Sequence, residues 1–370
     1  MLLTGSDKSL VDTLLESLNK RFSMKDLEAP SYFLGVEIQK CKDGFFLHQT
    51  AYAKDILYQA GMSDCNPMPT PLPQNLDKMN TELFSEPTYF RSLAGKLQYL
   101  TITRHDIQFA VSFVCQRMHE PTISDFGLLK RILRYIKGTI QMGLSIKKSF
   151  NLSLSAFCDS DHSGCKKTRR STSGFCILLG PNLISWSARR QETVSHSSTE
   201  AEYRALTDTA HEITWLSFLL RDLRISQQFP TLLQCDNLSA VDLSTNPALH
   251  KCSKHFDTDF HYIWEQVALG HIETQHSPAQ FQLADIFTKS LPRREFESLR
   301  HKLGVGVPPT TSLRGNISDT CELGHKMIQQ GGSPIKKAGQ GQHSQVMPKA
   351  VPAMPLLHNR FSSLQDKDAD

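Results

Sequence analysis

The chain has 370 residues, of which 39% are hydrophobic and 21% are charged. This is the usage of an ordinary globular protein, and the length suffices for about two or three domains. The net charge of +4 allows a polyanionic partner such as nucleic acid without requiring one. The nine cysteines include no Cys-x-x-Cys pair, so reduced thiols are expected. No apolar run approaches the ~20 residues of a membrane helix, and we expect an intracellular protein, cytoplasmic or nuclear, with no membrane partner.

The first part of the chain divides into two segments. Residues 1–75 combine a helix-like stretch, SLVDTLLESLNKRFSM, with the strand-like runs YFLGVEIQK and GFFLHQ, which a turn at Asp43-Gly44 separates. The prolines of CNPMPTPLPQ require an extended chain and mark a boundary. From 86 to 145, leucines and isoleucines spaced by three and four residues predict helices. We therefore predict an α+β segment at 1–75 and a helical module at 76–149.

From 150 to 304 the pattern changes to strands followed by helices. NLSLSAFCD, GFCILLG and LISWSA predict three antiparallel strands, and SSTEAEYRALTDTAHEITWLSFLL predicts a long amphipathic helix. Strand TLLQCDN, helical SAVDLS and DFHYIWEQV, strand HIETQH and a last helix opened by Ser277-Pro278 follow. The predicted fold class is α/β, a mixed five-stranded sheet with flanking helices. The Gly-, Pro-, Gln- and Lys-rich residues 305–370 are predicted to be a disordered tail.

The long helix carries a carboxylate on its apolar side. Helical spacing places Glu202 in line with Leu206, whereas Glu200 falls on the other side. A carboxylate at a buried edge costs several kcal/mol unless a cation or a hydrogen bond meets it. The alternative is that Thr199 and Glu202 form a capping box, in which Glu202 only caps the start of the helix.

Two further acidic residues stand at comparable places. Asp285 lies inside the predicted last helix, AQFQLADIFTKSL, where aspartate is a poor helix former and capping does not explain it. Asp236 ends the strand TLLQCD, where it is either a functional residue or the N-cap of the next helix. Asn237 and Ser239 are equally able to form that cap, so Asp236 stays open between the two roles.

The stretch AFCDSDHSG supplies a fourth candidate. Asp159 and Asp161 share one face of the strand, but Asp159 is nearer the sheet interior, and we interpret Asp161 as a solvated turn residue. Four carboxylates that meet at one side of a sheet repel each other unless divalent cations lie among them. Oxygen ligands favour Mg²⁺, with Mn²⁺ as the substitute, and two such ions about 3.5 to 4 Å apart suit phosphodiester hydrolysis.

Five consecutive motifs resemble a known family. CDSDHSG, RRSTSGFCILLG, ISWSARRQETVSHSSTEAEYRAL, LQCDNLSAV and QLADIFTK resemble the ribonuclease H domain of copia-type LTR retrotransposon Pol polyproteins. Upstream, YFLGVEIQ, GFFLHQTAYAKDIL and KRILRYIKGT resemble the end of the reverse transcriptase palm and its thumb or connection region. The resemblance implies a palm remnant at 1–75, a thumb or connection module at 76–149 and a ribonuclease H-like domain at 150–304. The family's catalytic and metal-binding acids fall on Asp159, Glu202, Asp236 and Asp285.

The resemblance also implies an activity. The expected reaction is two-metal hydrolysis of the RNA strand of an RNA–DNA hybrid, read through its 2′-hydroxyls. Other segments of the polyprotein are further candidate partners. Relatives carry Tyr-Val-Asp-Asp directly before a stretch like MLLTGSD, at which this chain begins, so we expect no polymerase activity from the chain by itself.

The sequence departs from the family at two places. His105 stands where proline is usual, and Cys252-Ser253 stands where Arg-Thr is usual. These departures favour the alternative function, a catalytically inactive retroelement relic that at most binds nucleic acid. A cellular ribonuclease H unrelated to transposons is a third interpretation, and it requires the upstream motifs to be accidental.

Several other polar residues are candidates for binding roles. The basic loop KKTRR, at 166–170, follows the strand of Asp159 and suits phosphate contacts. A plain solvated loop is the alternative. His276 is a candidate proton shuttle, with a surface histidine as the alternative. HKCSKHFDTDFH, at 250–261, fits no standard zinc spacing and is interpreted as a solvated helix. The predicted nucleic-acid-binding residues are Lys166, Lys167, Arg169, Arg170 and Asn237.

Overall fold

The structure is a computed structural model. It describes residues 3–22, 30–76, 81–165, 167–246 and 257–309, with the backbone alone at 257–260. The predicted tail, 305–370, lies outside the described residues from 310 onwards.

The helices and strands follow the predicted order closely. The α-helices of the described ranges are α1 (Lys8–Arg21), α2 (Thr50–Gln59), α3 (Pro87–Leu100), α4 (Gln108–Cys115), α5 (Ile123–Gly138), α6 (Ser198–Asp222), α7 (Leu238–Thr245), α8 (Asp257–Ala268) and α9 (Arg293–Lys302). The strands there are β1 (Tyr32–Phe33), β2 (Val36–Cys41), β3 (Gly44–His48), β4 (Gly143–Lys147), β5 (Leu154–Asp161), β6 (Thr172–Leu179), β7 (Asn182–Arg190), β8 (Thr231–Cys235), β9 (Ile272–His276) and β10 (Val305–Gly306). None of these helices has the length and apolar character needed to cross a membrane.

The first sheet is antiparallel, in the order β1-β2-β3-β4-β10. The predicted hairpin is confirmed, since β2 and β3 pair up to Cys41 and Gly44. Gly44 has a φ of 149°, and a Cβ there would lie 1.9 Å from the carbonyl oxygen of Ile146, so only glycine fits. β4 begins inside the stretch predicted to be helical, and β10 lies in the predicted tail. Both form strands because they pair with distant partners, which local periodicity does not reveal.

The second sheet has the order β7-β6-β5-β8-β9. β5, β6 and β7 form the predicted antiparallel meander, while β8 runs parallel to β5 and β9 runs parallel to β8. This confirms the predicted mixed five-stranded sheet with flanking helices.

Separate hydrophobic clusters cover the two faces of this sheet. On one face, Cys158 and Ile177 pack with apolar residues of α6 such as Leu206. On the other, Cys176 of β6 packs in one cluster with α3, α4, α5 and Phe287. β5 is central in the sheet and is covered on both faces. A charged side chain near its end is therefore largely shielded from water.

A buried polar network ties α9 to the helical module. Arg104 forms an ion pair with Asp106 at 2.8 Å, and the Tyr135 hydroxyl donates to the same carboxylate at 2.6 Å. Arg300 of α9 donates to the Tyr135 hydroxyl at 3.0 Å. These partners satisfy the buried charges, so removal of any one of them would leave another unpaired.

His105 lies between Arg104 and Asp106 in the chain, but its ring takes no part in this network. Its ring is fully buried beside Trp186, with a centroid distance of 5.3 Å, and neither ring nitrogen has a hydrogen-bond partner in the described structure. Burial lowers the pKa of His105 to about 4, so the ring is neutral at physiological pH.

His105→Pro is expected to stabilise the protein by about 1 kcal/mol at neutral pH, because it removes two buried polar atoms without partners. Proline suits the first position of the short helical turn that begins here. As the pH falls from 6.5 to about 4, the unfolded chain binds a proton at His105 that the folded protein excludes. His105 alone should cost the wild type up to about 3 kcal/mol over this interval, so the variant should gain that much relative to the wild type on acidification. Chemical denaturation at pH 7 and pH 5 measures both effects.

The exposed His119 provides the control for this comparison. His119→Ala removes an exposed histidine, so a change that both variants share is not specific to the buried His105. A His105→Pro protein that loses as much stability on acidification as the wild type would contradict the expectation.

Candidate metal centre

Asp159 lies near the end of the central strand, on the face opposite to Cys158. It is 2% exposed, and its Oδ2 accepts a hydrogen bond from the hydroxyl of Thr288. Its partner in the antiparallel ladder is Gly174. A Cβ on Gly174 would lie 2.8 Å from the Cβ of Phe287, so the missing side chain is what lets the segment around Phe287 and Thr288 lie against Asp159.

The start of α6 shows that Glu202 does not cap the helix. Ser197 is the N-cap, and its hydroxyl accepts from the backbone N–H of Glu200 at 3.1 Å. Glu200 accepts in turn from the backbone N–H of His196 at 2.8 Å. The capping box proposed for Thr199 and Glu202 is therefore wrong by two residues, and Glu202 is left for another role.

Glu202 points instead at the ends of β5 and β8. Its Oε1 accepts a hydrogen bond from the backbone N–H of Ser160 at 3.1 Å, and its Oε2 lies 3.6 Å from Cys235 Sγ. Burial, followed by the charges of Cys235, Asp159 and Asp236, raises the pKa of Glu202 to about 11. Without a cation nearby, this carboxyl group holds its proton at neutral pH.

Asp236 follows β8 directly, and the cap of α7 is its neighbour. The Oδ1 of Asn237 accepts from the backbone N–H of Ala240 at 3.0 Å, so Asn237 is the N-cap. The capping role considered for Asp236 is therefore taken by Asn237. Burial, followed by the charge of Asp159, raises the pKa of Asp236.

Asp285 occupies a 3₁₀-helical turn and not the middle of an α-helix. The predicted last helix is wrong, because the chain forms two short turns, Ala279–Phe281 and Leu283–Phe287. Gln282 separates them, and its amide donates to the carbonyl of Cys158 at 2.9 Å and accepts from Ala284 N–H at 3.2 Å. Burial and the charge of Asp159 raise the pKa of Asp285 to about 6.

The four predicted carboxylates converge. Asp159, Asp236 and Asp285 each offer an oxygen, and these oxygens all lie within 4.8 Å of one another. A second group with the same spacing, Glu202, Cys235 and Asp236, shares Asp236 with the first. The donors are almost all carboxylate oxygens, and burial together with the charge of Asp159 raises the pKa values of Glu202, Asp236 and Asp285. Such a set fits hard divalent cations. We refer to Asp159, Glu202, Asp236 and Asp285 as the carboxylate cluster.

Sequence reasoning missed Lys289. Its ammonium lies 2.9 Å from Asp285 Oδ1 and 3.5 Å from Asp159 Oδ2. Burial alone would lower the pKa of Lys289, but these carboxylates raise it above its usual value. The spacing of four residues from Asp285 was the available signal, since such pairs meet on one side of a helical turn.

Asp161 is not the solvated turn residue that was predicted. It is the last residue of β5, pairs with Thr172 in the ladder and is half-buried. Burial, followed by the charge of Asp159, raises the pKa of Asp161. Among the described residues it belongs to neither candidate group of metal ligands.

The basic loop borders a cavity of about 1100 Å³ that extends to Lys289. Lys167 and Arg169 are exposed and Arg170 is half-buried, whereas Lys166 falls outside the described residues. The loop thus shares a cavity with Lys289, and its phosphate contacts stay a prediction.

The two histidine features of the sequence differ in what the structure covers. His276 ends β9 opposite Cys235 and is half-buried, and its charge acts on Asp236. Its part in proton transfer stays a prediction. Most of the stretch at 250–261, which was considered for a zinc site, lies outside the described residues.

The chain matches known proteins in its amino-terminal region and over most of its length. Residues 1–74 match the reverse transcriptase (RNA-dependent DNA polymerase) family. The chain is 59% identical over 218 residues to an uncharacterised mitochondrial protein of Arabidopsis thaliana, covering 59% of this chain and 91% of that protein. It is 41% identical over 313 residues to the retrovirus-related Pol polyprotein from transposon RE1 of the same plant, covering 84% of this chain. The chain belongs to the copia-type Pol family. It spans 21% of the RE1 polyprotein.

Two solved structures are also similar to this copia-type chain. The foamy viral protease-reverse transcriptase in complex with RNA/DNA hybrid matches at 13% identity with a TM-score of 0.40, covering 85% of this chain and 37% of that one. The N-terminal RNase H domain of a Mycobacterium tuberculosis protein matches at 12% identity with a TM-score of 0.28, covering 40% and 97%. The second sheet and its helices have the mixed five-stranded α/β architecture that the sequence predicted.

Proposed function

We propose that this copia-type chain is a ribonuclease H that hydrolyses the RNA strand of RNA–DNA hybrids. The observation that supports the proposal is the convergence of Asp159, Asp236 and Asp285, with Glu202 adjoining through Asp236. These acids come from β5, α6, the end of β8 and a turn near the end of the described chain. Structural roles such as capping do not account for them, because Ser197 and Asn237 supply the caps.

The side chains of the cluster have distinct parts in this proposal. Asp159, Asp236 and Asp285 would hold Mg²⁺, or Mn²⁺ in its place, and Glu202 would join them when a cation offsets the burial of its charge. When bound, two such ions supply an activated water and stabilise the leaving 3′ oxygen. Thr288 orients Asp159 through its hydroxyl, and this hydrogen bond fixes the carboxylate before substrate arrives.

Substrate contacts would come from the residues around the cluster. Lys167, Arg169 and Arg170 offer cations to phosphates, with Lys166 and Asn237 as further candidates. His276, which ends β9 opposite Cys235, would act as the proton shuttle. Selection of RNA would rest on 2′-hydroxyl contacts across the shallow minor groove of the hybrid.

A cleavage assay tests the proposal. The protein is incubated with a hybrid labelled on either strand, with Mg²⁺ or with EDTA. Cleavage of the RNA strand with Mg²⁺, and none with EDTA or of the DNA strand, is the expected result. An intact RNA strand under all these conditions would refute the ribonuclease assignment.

The second candidate function is an inactive relic that binds nucleic acid. One observation favours it: His105, a departure from the family, is buried with both ring nitrogens unpaired, which is a cost that selection for stability would remove. Hybrid binding with no cleavage in the same assay would identify the relic.

A further inference from the structure

The ammonium of Lys289 lies close to two acids of the carboxylate cluster, whose negative charges repel each other. This ammonium is 2.9 Å from Asp285 Oδ1 and 3.5 Å from Asp159 Oδ2, and both acids belong to the group of three whose oxygens lie within 4.8 Å of each other. Asp159 is only 2% exposed, so solvent screens its charge poorly. The ammonium therefore offsets part of the repulsion in the carboxylate cluster.

The position of this lysine is fixed from two sides. Its backbone N–H donates to the carbonyl of Asp285 at 3.1 Å. The preceding residue, Thr288, is held to Asp159 by its hydroxyl. The turn that carries Asp285 therefore also positions the backbone of Lys289 next to Asp285 and Asp159.

The ammonium itself is free to leave. The Lys289 side chain is 42% exposed, against 2% for Asp159, and it borders the cavity of about 1100 Å³. A four-carbon stem with three or more rotatable bonds can carry the charge into that cavity without movement of the backbone. An ammonium so placed and a divalent cation cannot occupy the same carboxylate oxygens.

We propose that Lys289 is a resident counter-cation, which holds the carboxylate cluster together without metal and is displaced when a divalent ion binds. The proposal rests on the proposed function only in that the cluster binds metal. It implies that the cluster is assembled before metal arrives, and that every binding event must first break the contacts of Lys289 with Asp159 and Asp285.

Metal binding without nucleic acid tests the proposal. Isothermal titration with Mg²⁺ and Mn²⁺, at fixed ionic strength, compares the wild type with Lys289→Met, which keeps the stem and removes the charge. The dissociation constant should fall by roughly tenfold in the variant, because one nearby charge no longer competes. Lys289→Arg retains the charge and should stay close to the wild type. Lys148→Met, at an exposed lysine of the loop after β4, is the control for the same change in net charge.

Thermal melting in EDTA gives the second readout. Lys289→Met should melt at a lower temperature than the wild type, since the acids lose their counter-charge, and Mn²⁺ should restore more of the difference than it does in Lys148→Met. Unchanged or weaker metal binding by Lys289→Met would overturn the proposal, as would absence of metal binding in every variant. Tighter binding by Lys289→Met in a protein that fails to cleave hybrid would support Lys289 as counter-cation and refute the ribonuclease assignment.

Discussion

Asp159→Asn is expected to reduce hydrolysis of the RNA strand by about 10³-fold or more, the largest loss among single substitutions in the cluster. Asp159 is the most buried of its group, and its charge contributes to the raised pKa values of Glu202, Asp236 and Asp285. The amide removes one charged ligand and keeps the shape of the side chain. Initial rates on a labelled hybrid with Mg²⁺ measure the loss.

Asp161→Asn is the matched control for this substitution. It makes the same chemical change two residues away on the same strand, at an acid that belongs to neither group of candidate ligands among the described residues. Its rate should remain within a few-fold of the wild type. Equal rates for wild type and Asp159→Asn would mean that the measured cleavage comes from elsewhere, and the assignment of the cluster would then be wrong.

Asp159→Asn should also change the pH dependence of stability without metal. The folded-state pKa of Asp285 is about 6, above the ordinary value of 3.8, so this group stabilises the fold at low pH and loses that effect as the pH rises from about 4 to 6. Removal of the neighbouring charge in Asp159→Asn should shrink this loss. Denaturation in EDTA at pH 4 and pH 7 should therefore show a smaller pH dependence for Asp159→Asn than for the wild type.

Gly174→Ala is expected to lower the hydrolysis rate by about 10²-fold, since the added methyl group must displace the turn that carries Asp285. A Cβ at Gly174 would lie 2.7 Å from Thr288 Cγ2 and 2.8 Å from Phe287 Cβ, and neither contact is the end of a flexible side chain. The overpacking should also cost about 1 to 3 kcal/mol of unfolding free energy. Cleavage rates and denaturant melts of one preparation measure both.

Gly127→Ala provides the comparison in the middle of α5. Nothing lies within 4 Å of a Cβ built there, so the same substitution meets open space. Helix propensity predicts a gain of up to about 1 kcal/mol and an unchanged rate. If Gly174→Ala behaved like Gly127→Ala, the close approach of the turn to β6 would not be what positions Asp285.

The local pattern of the sequence predicted much of the fold. Period-two alternation located β5, and the apolar runs on either side of Gly180-Pro181-Asn182 located β6 and β7. The spacing of apolar residues located α6 and the side of it on which Glu202 lies. These predictions succeeded because an antiparallel meander and a long amphipathic helix depend mainly on neighbours in the chain. Where the chain pairs or turns against distant residues, the pattern failed, as at β4 and in the segment around Asp285.

The sequence by itself determined that capping does not explain Asp285, and the resemblance to copia-type Pol proteins ordered Asp285 into one set with Asp159, Glu202 and Asp236. Only the tertiary structure decided that Ser197 and Asn237 form the caps, that Asp161 is half-buried outside the cluster, and that Lys289 lies between Asp159 and Asp285. The place of Lys289 depends on the packing of a turn at 283–287 against β5 and β6, which lie more than a hundred residues earlier in the chain. Contacts at such separation leave no periodic signal, because burial on folding and not the neighbouring sequence fixes which charges meet.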